Sequence, residues 1–334
     1  MKNEKTTPIK SAAGTLSRML GNEDTASHLW GDKRYYSLNY YLKTTYGEKV
    51  YRLSLDGGMT CPNRDGTLSS NGCAFCSAGG SGDFAASRQL TISEQLSDAR
   101  FRIQAKTNCH KFIAYFQAYT NTYAPIDHLR RIYMEAIADP EVVVLSIGTR
   151  SDCLGEEVLS LLDELNNIKP VWIELGLQSM HNKTLQSMNT HTTLAQFESA
   201  AASLHKHGIP VIAHLILGFP GESREDMMAS IHFLAHSRIG GIKLQLLHVL
   251  KHTALAAQYK IAPFPIFELE EYCDFVIDCL ELLPPEMVIH RITGDGPRAL
   301  LIAPLWSTDK KRILNTIHKR MEERDTWQGK FFLP

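Results

Sequence analysis

Residues 50–76 read VYRLSLDGGMTCPNRDGTLSSNGCAFC, an apolar run that leads into a long loop with three cysteines. The run 50–55 has the β-branched, aromatic and leucine content that is typical of a strand. Cys61, Cys73 and Cys76 follow it with the spacing C-x11-C-x2-C. Seven of the 22 glycines of the chain fall between residues 57 and 82, and a glycine-rich backbone can approach a bound object closely. The stretch therefore predicts a strand followed by a loop that wraps a ligand.

Short apolar runs and helical patterns alternate after this stretch. The regions between the runs carry apolar residues at the three- and four-residue spacing of an amphipathic helix. The runs themselves lack strict alternation, as expected for strands that are covered on both faces. This alternation predicts parallel βα units. The five further runs are 111–117, 142–147, 171–177, 209–217 and 242–249.

Unusual residues follow every one of these runs, at the carboxyl end of the predicted strand. A doubly wound sheet concentrates its site at one switch point, whereas a barrel gathers its site from the loops after all strands. The pattern favours the barrel, and we predict an α/β chain with a partial (β/α)6 TIM-type barrel and a C-terminal α/β extension. The residues that follow the runs are Cys61, Gln117, Thr149, Gln178, Gly218 and His248.

The chain divides into three predicted parts. Residues 1–35 are polar, with weak periodicity, and are expected to form a mobile N-terminal arm. Residues 36–250 form the predicted barrel. In residues 251–334 the rhythm changes to a helix at 268–283, a short strand at 288–292 and a basic helix at 310–324. We expect this extension to close one side of the barrel and to contact the substrate.

The composition excludes several classes of protein. Of the 334 residues, 44% are hydrophobic and 21% are charged, which is a globular mixture and argues against disorder. Lys and Arg (35) nearly balance Asp and Glu (36), so a nucleic-acid surface would have to be a local patch. No apolar run reaches the roughly 18–20 residues of a membrane span, and the N-terminus lacks the apolar segment of a secretory signal. We predict a cytoplasmic protein without a membrane partner.

The cysteine loop has three chemical interpretations. Three thiolates can hold three corners of a [4Fe–4S] cube and leave its fourth iron open to a reactant. Structural zinc would need a fourth ligand, for which Cys109 or His110 is available but distant in sequence. Buried thiols without a metal are the third interpretation. The glycine-rich setting at a barrel mouth favours the iron–sulfur cluster.

The loop, with its Cys73-Ala74-Phe75-Cys76 end, resembles the radical S-adenosylmethionine (SAM) superfamily. The wide gap after Cys61 resembles the elongator-type catalytic subunits and the YtqA/YhcC group of bacterial proteins. The resemblance extends over residues 35–296. The companion runs that carry it are SLDGG at 54–58, CPNRDG at 61–66, FQAYTNTY at 116–123 and LHVLK at 247–251.

The resemblance implies a cofactor pair and a reaction. The three cysteines would hold a [4Fe–4S] cluster, the open iron would bind SAM, and an electron would cleave SAM to a 5′-deoxyadenosyl radical that abstracts hydrogen from the substrate. The expected electron donor is a flavodoxin or ferredoxin. The residues that the resemblance and the strand ends assign to SAM binding are Gln117, Asn121, Thr149, Arg150, Glu174, Gln178, His214 and Gly218.

Other interpretations remain open for some of these residues. Asn121 also fits a solvated turn, and Arg150 also fits a structural ion pair with Asp152. Glu174 lies in an apolar run, so its carboxylate must be paired or solvated.

The sequence is less informative about the substrate. His248 and Lys251 end the sixth run, and Lys311 and Arg312 begin the basic helix, although solvated surface positions explain them as well. The resemblance implies tRNA as the partner, with conversion of the wobble uridine side chain from carboxymethylaminomethyl to aminomethyl. Two alternatives are a radical SAM enzyme for a small-molecule metabolite and a zinc-stabilised RNA-binding protein without catalysis.

Overall fold

The computed structural model describes residues 29–105, 107–294 and 296–334, and the elements below are numbered within these ranges. The strands are β1 (Val50–Leu55), β2 (Lys111–Phe116), β3 (Val142–Arg150), β4 (Val171–Gln178), β5 (Val211–Leu217), β6 (Gly241–Leu246), β7 (Val249–Leu250), β8 (Val288–Arg291) and β9 (Leu301–Ala303). The α-helices are α1 (Leu38–Tyr46), α2 (Ile92–Gln104), α3 (Ile126–Ala138), α4 (Glu156–Asn166), α5 (Asn182–Ser187), α6 (Leu194–Lys206), α7 (Arg224–Ala235), α8 (Ala254–Ile261), α9 (Leu269–Leu282) and α10 (Lys310–Glu323).

Seven strands form one parallel sheet in the order β1-β2-β3-β4-β5-β6-β8. Each of the first five strands pairs with the next one in the chain, as βα units require. In the described part of the chain β1 and β8 are the two edge strands and do not pair with each other, so the barrel is incomplete. The predicted partial TIM-type barrel is confirmed.

The sheet has one more strand than the six predicted. β8, which was assigned to the extension, pairs in parallel with β6, and Gly241 lies opposite Val288. The run 242–249 also divides: β6 ends at Leu246, and the short β7 pairs antiparallel with β9. The run remains apolar because Leu247 and Val249 are buried in a second cluster of side chains outside the main core. Hydrophobicity alone therefore does not mark the point where the strand leaves the sheet.

Local sequence signals fix where the helices start and stop. Thr193 and Gln196 form a reciprocal capping box at the start of α6, and this box satisfies backbone N–H groups that the helix leaves free. The same device starts α2 at Thr91 and α7 at Ser223. After α6, Gly208 has a positive φ of 66°, which suits the left-handed residue that commonly ends a helix. These boundaries set the lengths of the loops that surround the site.

The C-terminal helices pack against each other through charge pairs. Arg324, directly after α10, donates to Asp274 at 2.6 Å and to Asp278 at 2.7 Å, and both carboxylates lie on α9. Arg320 contacts Glu270 and Asp274 on the same helix. Part of the positive charge of the basic helix is thus used within the fold.

The described end of the predicted N-terminal arm packs against the C-terminal segment. Residues 1–28 lie outside the described residues. Tyr35 is buried, Arg34 pairs with Asp325 at 3.0 Å, and the backbone N–H of Gln328 donates to the Arg34 carbonyl. No helix in the described ranges is long and apolar enough to cross a membrane.

Candidate active site

The three cysteines of the loop after β1 line one cavity of about 250 Å³. Its other lining residues come from the rest of that loop, from β2 to β6 and the loops that follow these strands, and from Arg291 of β8. Parallel strands end at the same side of the sheet, so side chains far apart in sequence meet here. The cavity thus joins the cysteine loop to the strand ends in a single site.

Backbone contacts and an aromatic pair fix the C-x2-C end of the loop. The N–H of Ala74 donates to the Met188 carbonyl at 2.9 Å, and the Ala74 carbonyl accepts from Leu255 at 2.8 Å. Phe75 packs against Phe219, with the ring centroids 5.5 Å apart. The segment between Cys73 and Cys76 is therefore held from two sides, by the loop after α5 and by α8.

Asn63 attaches the first half of the loop to the second. Its side chain is fully buried, and Nδ2 donates to the Asn189 carbonyl at 2.6 Å and to Cys73 Sγ at 3.4 Å. Asn189 donates in turn to the Gly72 carbonyl at 2.7 Å. These contacts order the eleven residues that separate the first two cysteines.

Arg64 places a positive charge at the thiols. Its guanidinium donates to the carbonyls of Cys76 at 3.0 Å and Ser77 at 2.5 Å. Burial raises the pKa of Cys76, and the charge of Arg64 and its hydrogen bond oppose that rise. Burial and the neighbouring thiol raise the pKa of Cys73 to about 12, against the opposing charge of Arg150.

These cysteines suit an iron–sulfur cluster chemically. Burial disfavours free thiolates here, whereas coordination to metal cations keeps thiols deprotonated. Among the described residues, no three His, Cys, Asp or Glu side chains are grouped closely enough to hold one metal ion. A cube does not require such a group, because each cysteine ligates a different iron. Three soft thiols around one cavity fit the cluster.

Six of the eight residues predicted for SAM binding line the cavity, namely Gln117, Thr149, Arg150, Glu174, Gln178 and His214. Gln117 donates to the Ser81 carbonyl at 2.7 Å, so its amide holds the end of the glycine-rich loop. Gln178 has a positive φ of 68°, and its buried Oε1 accepts no hydrogen bond from a described residue. An unsatisfied buried acceptor at the end of β4 is a natural partner for a donor on a bound molecule.

Arg150 forms the ion pair that was its alternative interpretation. Nε and Nη2 donate to the Asp152 carboxylate at 2.9 and 2.7 Å, and Nη1 donates to the Thr190 carbonyl at 2.9 Å. A guanidinium has five N–H donors, so this pairing leaves donors for a further partner in the cavity.

Glu174 is paired within the barrel, as its apolar surroundings require. Lys243 and His214 both donate to its carboxylate, His214 at 2.9 Å, and Arg52 lies 3.6 Å away. These neighbours hold the pKa of Glu174 well below its usual range although burial opposes this. Burial and the charge of Lys243 lower the pKa of His214 to about 4, so this imidazole is neutral at physiological pH.

Asn121 and Gly218 do not line this cavity. The Asn121 amide is buried and donates to the carbonyls of Phe116 at 3.1 Å and Gly148 at 2.8 Å, so it joins the ends of β2 and β3. Gly218 has a positive φ of 95° and borders a separate groove with Phe267. Asn121 is therefore buried and does not occupy the solvated turn of its alternative interpretation.

The four predicted substrate residues are separated in the structure. His248 lines the cavity, whereas Lys251 donates to the Ala299 carbonyl at 2.9 Å and helps join β7 to β9. Lys311 and Arg312 are exposed at the start of α10.

Several residues of the site were not identified from the sequence. Asn63 and Arg64 lie in the CPNRDG run that carries the resemblance, but the run alone gives them no role. Lys243 and Gln245 alternate within a strand that is otherwise apolar, and both line the cavity. Polar residues two apart in a buried strand are the signal that would have indicated them.

The fold and the site define a class of protein: a partial βα barrel that carries a three-cysteine loop, suited to an iron–sulfur cluster, after its first strand. Residues 67–234 match the Radical SAM superfamily, and residues 239–323 match the Radical_SAM C-terminal domain. The uncharacterized protein YtqA of Bacillus subtilis is 45% identical over 301 residues, which are 90% of this chain and 94% of YtqA. The chain belongs to the radical SAM superfamily, in the group that includes YtqA.

Membership establishes the cofactors and the enzyme class. Members of this superfamily bind a [4Fe–4S] cluster and SAM, so the chain is a radical SAM enzyme.

Two more distant comparisons add detail. A protein of Methanocaldococcus jannaschii named tRNA uridine(34) acetyltransferase is 24% identical over 189 residues, which are 56% of this chain and 34% of that protein. A solved structure of archaeal Elp3 from Methanocaldococcus infernus, lacking residues 1–46, has a TM-score of 0.66 at 17% identity. It covers 84% of this chain and 64% of that chain. This second likeness shows the fold.

Proposed function

We propose that this radical SAM enzyme modifies tRNA at the wobble uridine and converts carboxymethylaminomethyluridine to aminomethyluridine. The cluster and SAM supply hydrogen abstraction by a 5′-deoxyadenosyl radical. The protein supplies the cavity that holds both, and Gln178 and Arg150 offer it an acceptor and donors. A flavodoxin or ferredoxin is the proposed electron donor.

The observation that carries the tRNA proposal is the position of the first turn of α10. Lys310 lies close enough to His248 for its charge to help burial lower the pKa of that imidazole to about 4. His248 lines the cavity, and the exposed Lys311 and Arg312 follow Lys310 in the first turn of the same helix. Exposed cations in a helical turn that begins near His248 suit the phosphates of a nucleic acid.

The comparisons also support a tRNA substrate. The relative from Methanocaldococcus jannaschii is named for its action on uridine 34 of tRNA. We extend the substrate class, and not its acetyl transfer, to this chain. A net charge of −1 is compatible with this because the proposed contact is local.

The test is a nucleoside measurement on tRNA that carries carboxymethylaminomethyluridine. The anaerobically reconstituted enzyme is incubated with this tRNA, SAM and reduced flavodoxin, and both 5′-deoxyadenosine and the wobble nucleoside are quantified. Appearance of aminomethyluridine supports the proposal. An unchanged wobble uridine in a preparation that cleaves SAM removes this substrate and favours a small-molecule metabolite.

A further inference from the structure

Gln245 of β6 faces the active-site cavity. Lys243 and Gln245 are two residues apart on this strand, so their side chains lie on the same face of the sheet, and both line the cavity. Ile242 and Leu244 lie on the other face, where they are buried in the main core. Lys243 is buried and paired with Glu174, whereas Gln245 is half-buried and lies nearer the carboxyl end of the strand.

The amide of Gln245 is both unpaired and accessible. It makes no hydrogen bond to another residue of the described chain. Its oxygen and nitrogen are also absent from the unpaired atoms that the fold encloses completely, so a molecule in the cavity can reach both. A glutamine amide carries an acceptor and two donors. A partner for it therefore presents a donor and an acceptor side by side.

The strand order favours the substrate over SAM as that partner. The cavity-lining residues proposed for SAM lie directly after β2 or on β3 to β5, and none of them lies on β6. In the sheet, β6 is four strands away from β2. Gln117, which follows β2, already donates to the Ser81 carbonyl of the cysteine loop at 2.7 Å. Gln245 is thus available to the second reactant.

The surroundings of Gln245 suit a flat ring with a polar edge. Ile216 is its partner across the β5–β6 pair, and Ile216, Phe75 and Leu250 line the same cavity. Beside apolar side chains, water competes less for the hydrogen bonds of an amide. A nucleobase combines apolar faces for such side chains with donors and acceptors on its Watson–Crick edge.

We propose that Gln245 is a specificity-determining residue that binds the edge of the substrate uracil, accepting from N3–H and donating to the C4 carbonyl. The inference rests on the proposed function, which brings the wobble base to this cavity. Enzymes that act on a base commonly move it out of the stack and read its Watson–Crick edge in a pocket. Because C5 is bonded to C4, this contact also fixes where the side chain on C5 lies.

The test uses two anticodon stem-loop RNAs. Both carry the carboxymethylaminomethyl side chain at the wobble base, and one of them also carries a methyl group on N3 of that base. Their dissociation constants are measured with the anaerobic holoenzyme in the presence of SAM. We expect the N3-methylated RNA to bind about tenfold more weakly, as the loss of one or two neutral hydrogen bonds allows.

Substitutions then show whether Gln245 is responsible. Gln245→Leu and Gln245→Met remove the amide and keep a similar volume, and each should abolish most of the difference between the two RNAs by weakening the binding of the unmethylated one. Any effect of the methyl group on the RNA itself is common to all proteins and cancels in this comparison. Gln258→Leu, on the exposed face of α8, is the matched control and should keep the difference.

The outcomes separate the inference from the proposed function. A tenfold difference that persists in both Gln245 variants overturns the contact, and so does equal binding of the two RNAs by the unsubstituted enzyme, although tRNA binding then stands. Lower SAM affinity in the Gln245 variants, at full iron content and an unchanged melting temperature, would assign the amide to SAM and also overturn the inference. Failure of both RNAs to bind an enzyme that cleaves SAM overturns the proposed function itself.

Discussion

Nδ2 of Asn63 lies 3.4 Å from Cys73 Sγ while it also donates to the Asn189 carbonyl at 2.6 Å. A buried amide thus connects Cys73, a proposed cluster ligand, to the loop after α5. A hydrogen bond to a ligating sulfur stabilises the more negative, reduced cluster and so raises its reduction potential. We therefore expect Asn63 to position Cys73 and to raise the reduction potential of a cluster held there.

Replacing this amide should change the potential more than the cluster content. For Asn63→Ala we expect a midpoint potential lower by ~40 mV, which corresponds to a hydrogen bond of about 1 kcal/mol. An anaerobic redox titration followed by electron paramagnetic resonance measures it. Asn71→Ala, at an exposed position of the same loop, is the control and should leave the potential unchanged. A variant with full iron content and an unshifted potential would show that the contact has no electronic role.

The ion pair of Glu174 and Lys243 gives a prediction for stability. Both side chains are buried, with side-chain exposures of 0% and 1%. Lys243→Met removes the cation in contact with this carboxylate and leaves Arg52, 3.6 Å away, as the remaining cation, so it should lower the free energy of unfolding by about 3 kcal/mol, the low end of the cost of breaking a buried pair. The double substitution Glu174→Gln with Lys243→Met should recover most of that loss. Urea unfolding under anaerobic conditions measures both, and a double variant as unstable as the single one would contradict the pairing.

The barrel pattern was predictable from the sequence because strands covered on both faces are apolar runs, and helices between them repeat every three to four residues. The seventh strand was not assigned to the sheet, since 288–292 is short and its pairing with β6 depends on contacts across 47 residues of chain. The exit of the chain from the sheet after Leu246 was hidden in the same way, because the residues that follow are buried elsewhere.

The cysteines were recognisable because ligand spacing is a local property of the chain. The roles of Asn63 and Arg64 were not, since they depend on carbonyls that the folded loop brings to them. The basic helix shows a related limit: its composition does not distinguish exposed cations from paired ones, and Arg320 and Arg324 contact acidic side chains of α9. Partners distant in sequence decide which charges remain available.

The buried imidazole of His214 gives a pH dependence. Burial, aided by the charge of Lys243, lowers its pKa to about 4 from the ordinary 6.5, so the unfolded chain binds this proton first as the pH falls. The contribution of His214 to the free energy of unfolding is therefore fully present above pH 6.5 and is lost as the pH falls toward 4. Between pH 7 and 5 the loss from this group is about 2 kcal/mol.

The comparison with His214→Gln isolates this contribution, because the glutamine amide still donates to Glu174 but does not titrate. Urea unfolding is measured at both pH values. Wild type should lose about 2 kcal/mol more than the variant on going from pH 7 to 5. Parallel losses in the two proteins would show that His214 is not the group responsible.

The exposed and the paired cations of α10 should behave differently. The double substitution Lys311→Ala with Arg312→Ala should weaken tRNA binding and reduce the slope of log K against log salt by roughly 1.5, without changing the melting temperature. Arg320→Ala should lower the melting temperature and leave the salt slope of tRNA binding unchanged, because Arg320 contacts Glu270 and Asp274 within the fold. Fluorescence anisotropy over a salt series and thermal unfolding measure the two effects. An unchanged slope in the double variant would place the tRNA contact elsewhere.

The central claim is that Cys61, Cys73 and Cys76 together hold one cluster that cleaves SAM. Its most direct test is the yield of 5′-deoxyadenosine from anaerobically reconstituted protein, measured with the iron content of the same sample. The wild type and Cys109→Ala, which changes a buried cysteine outside the loop, should carry about four irons and release 5′-deoxyadenosine. Cys73→Ala should release none. SAM cleavage retained by Cys73→Ala would contradict the account.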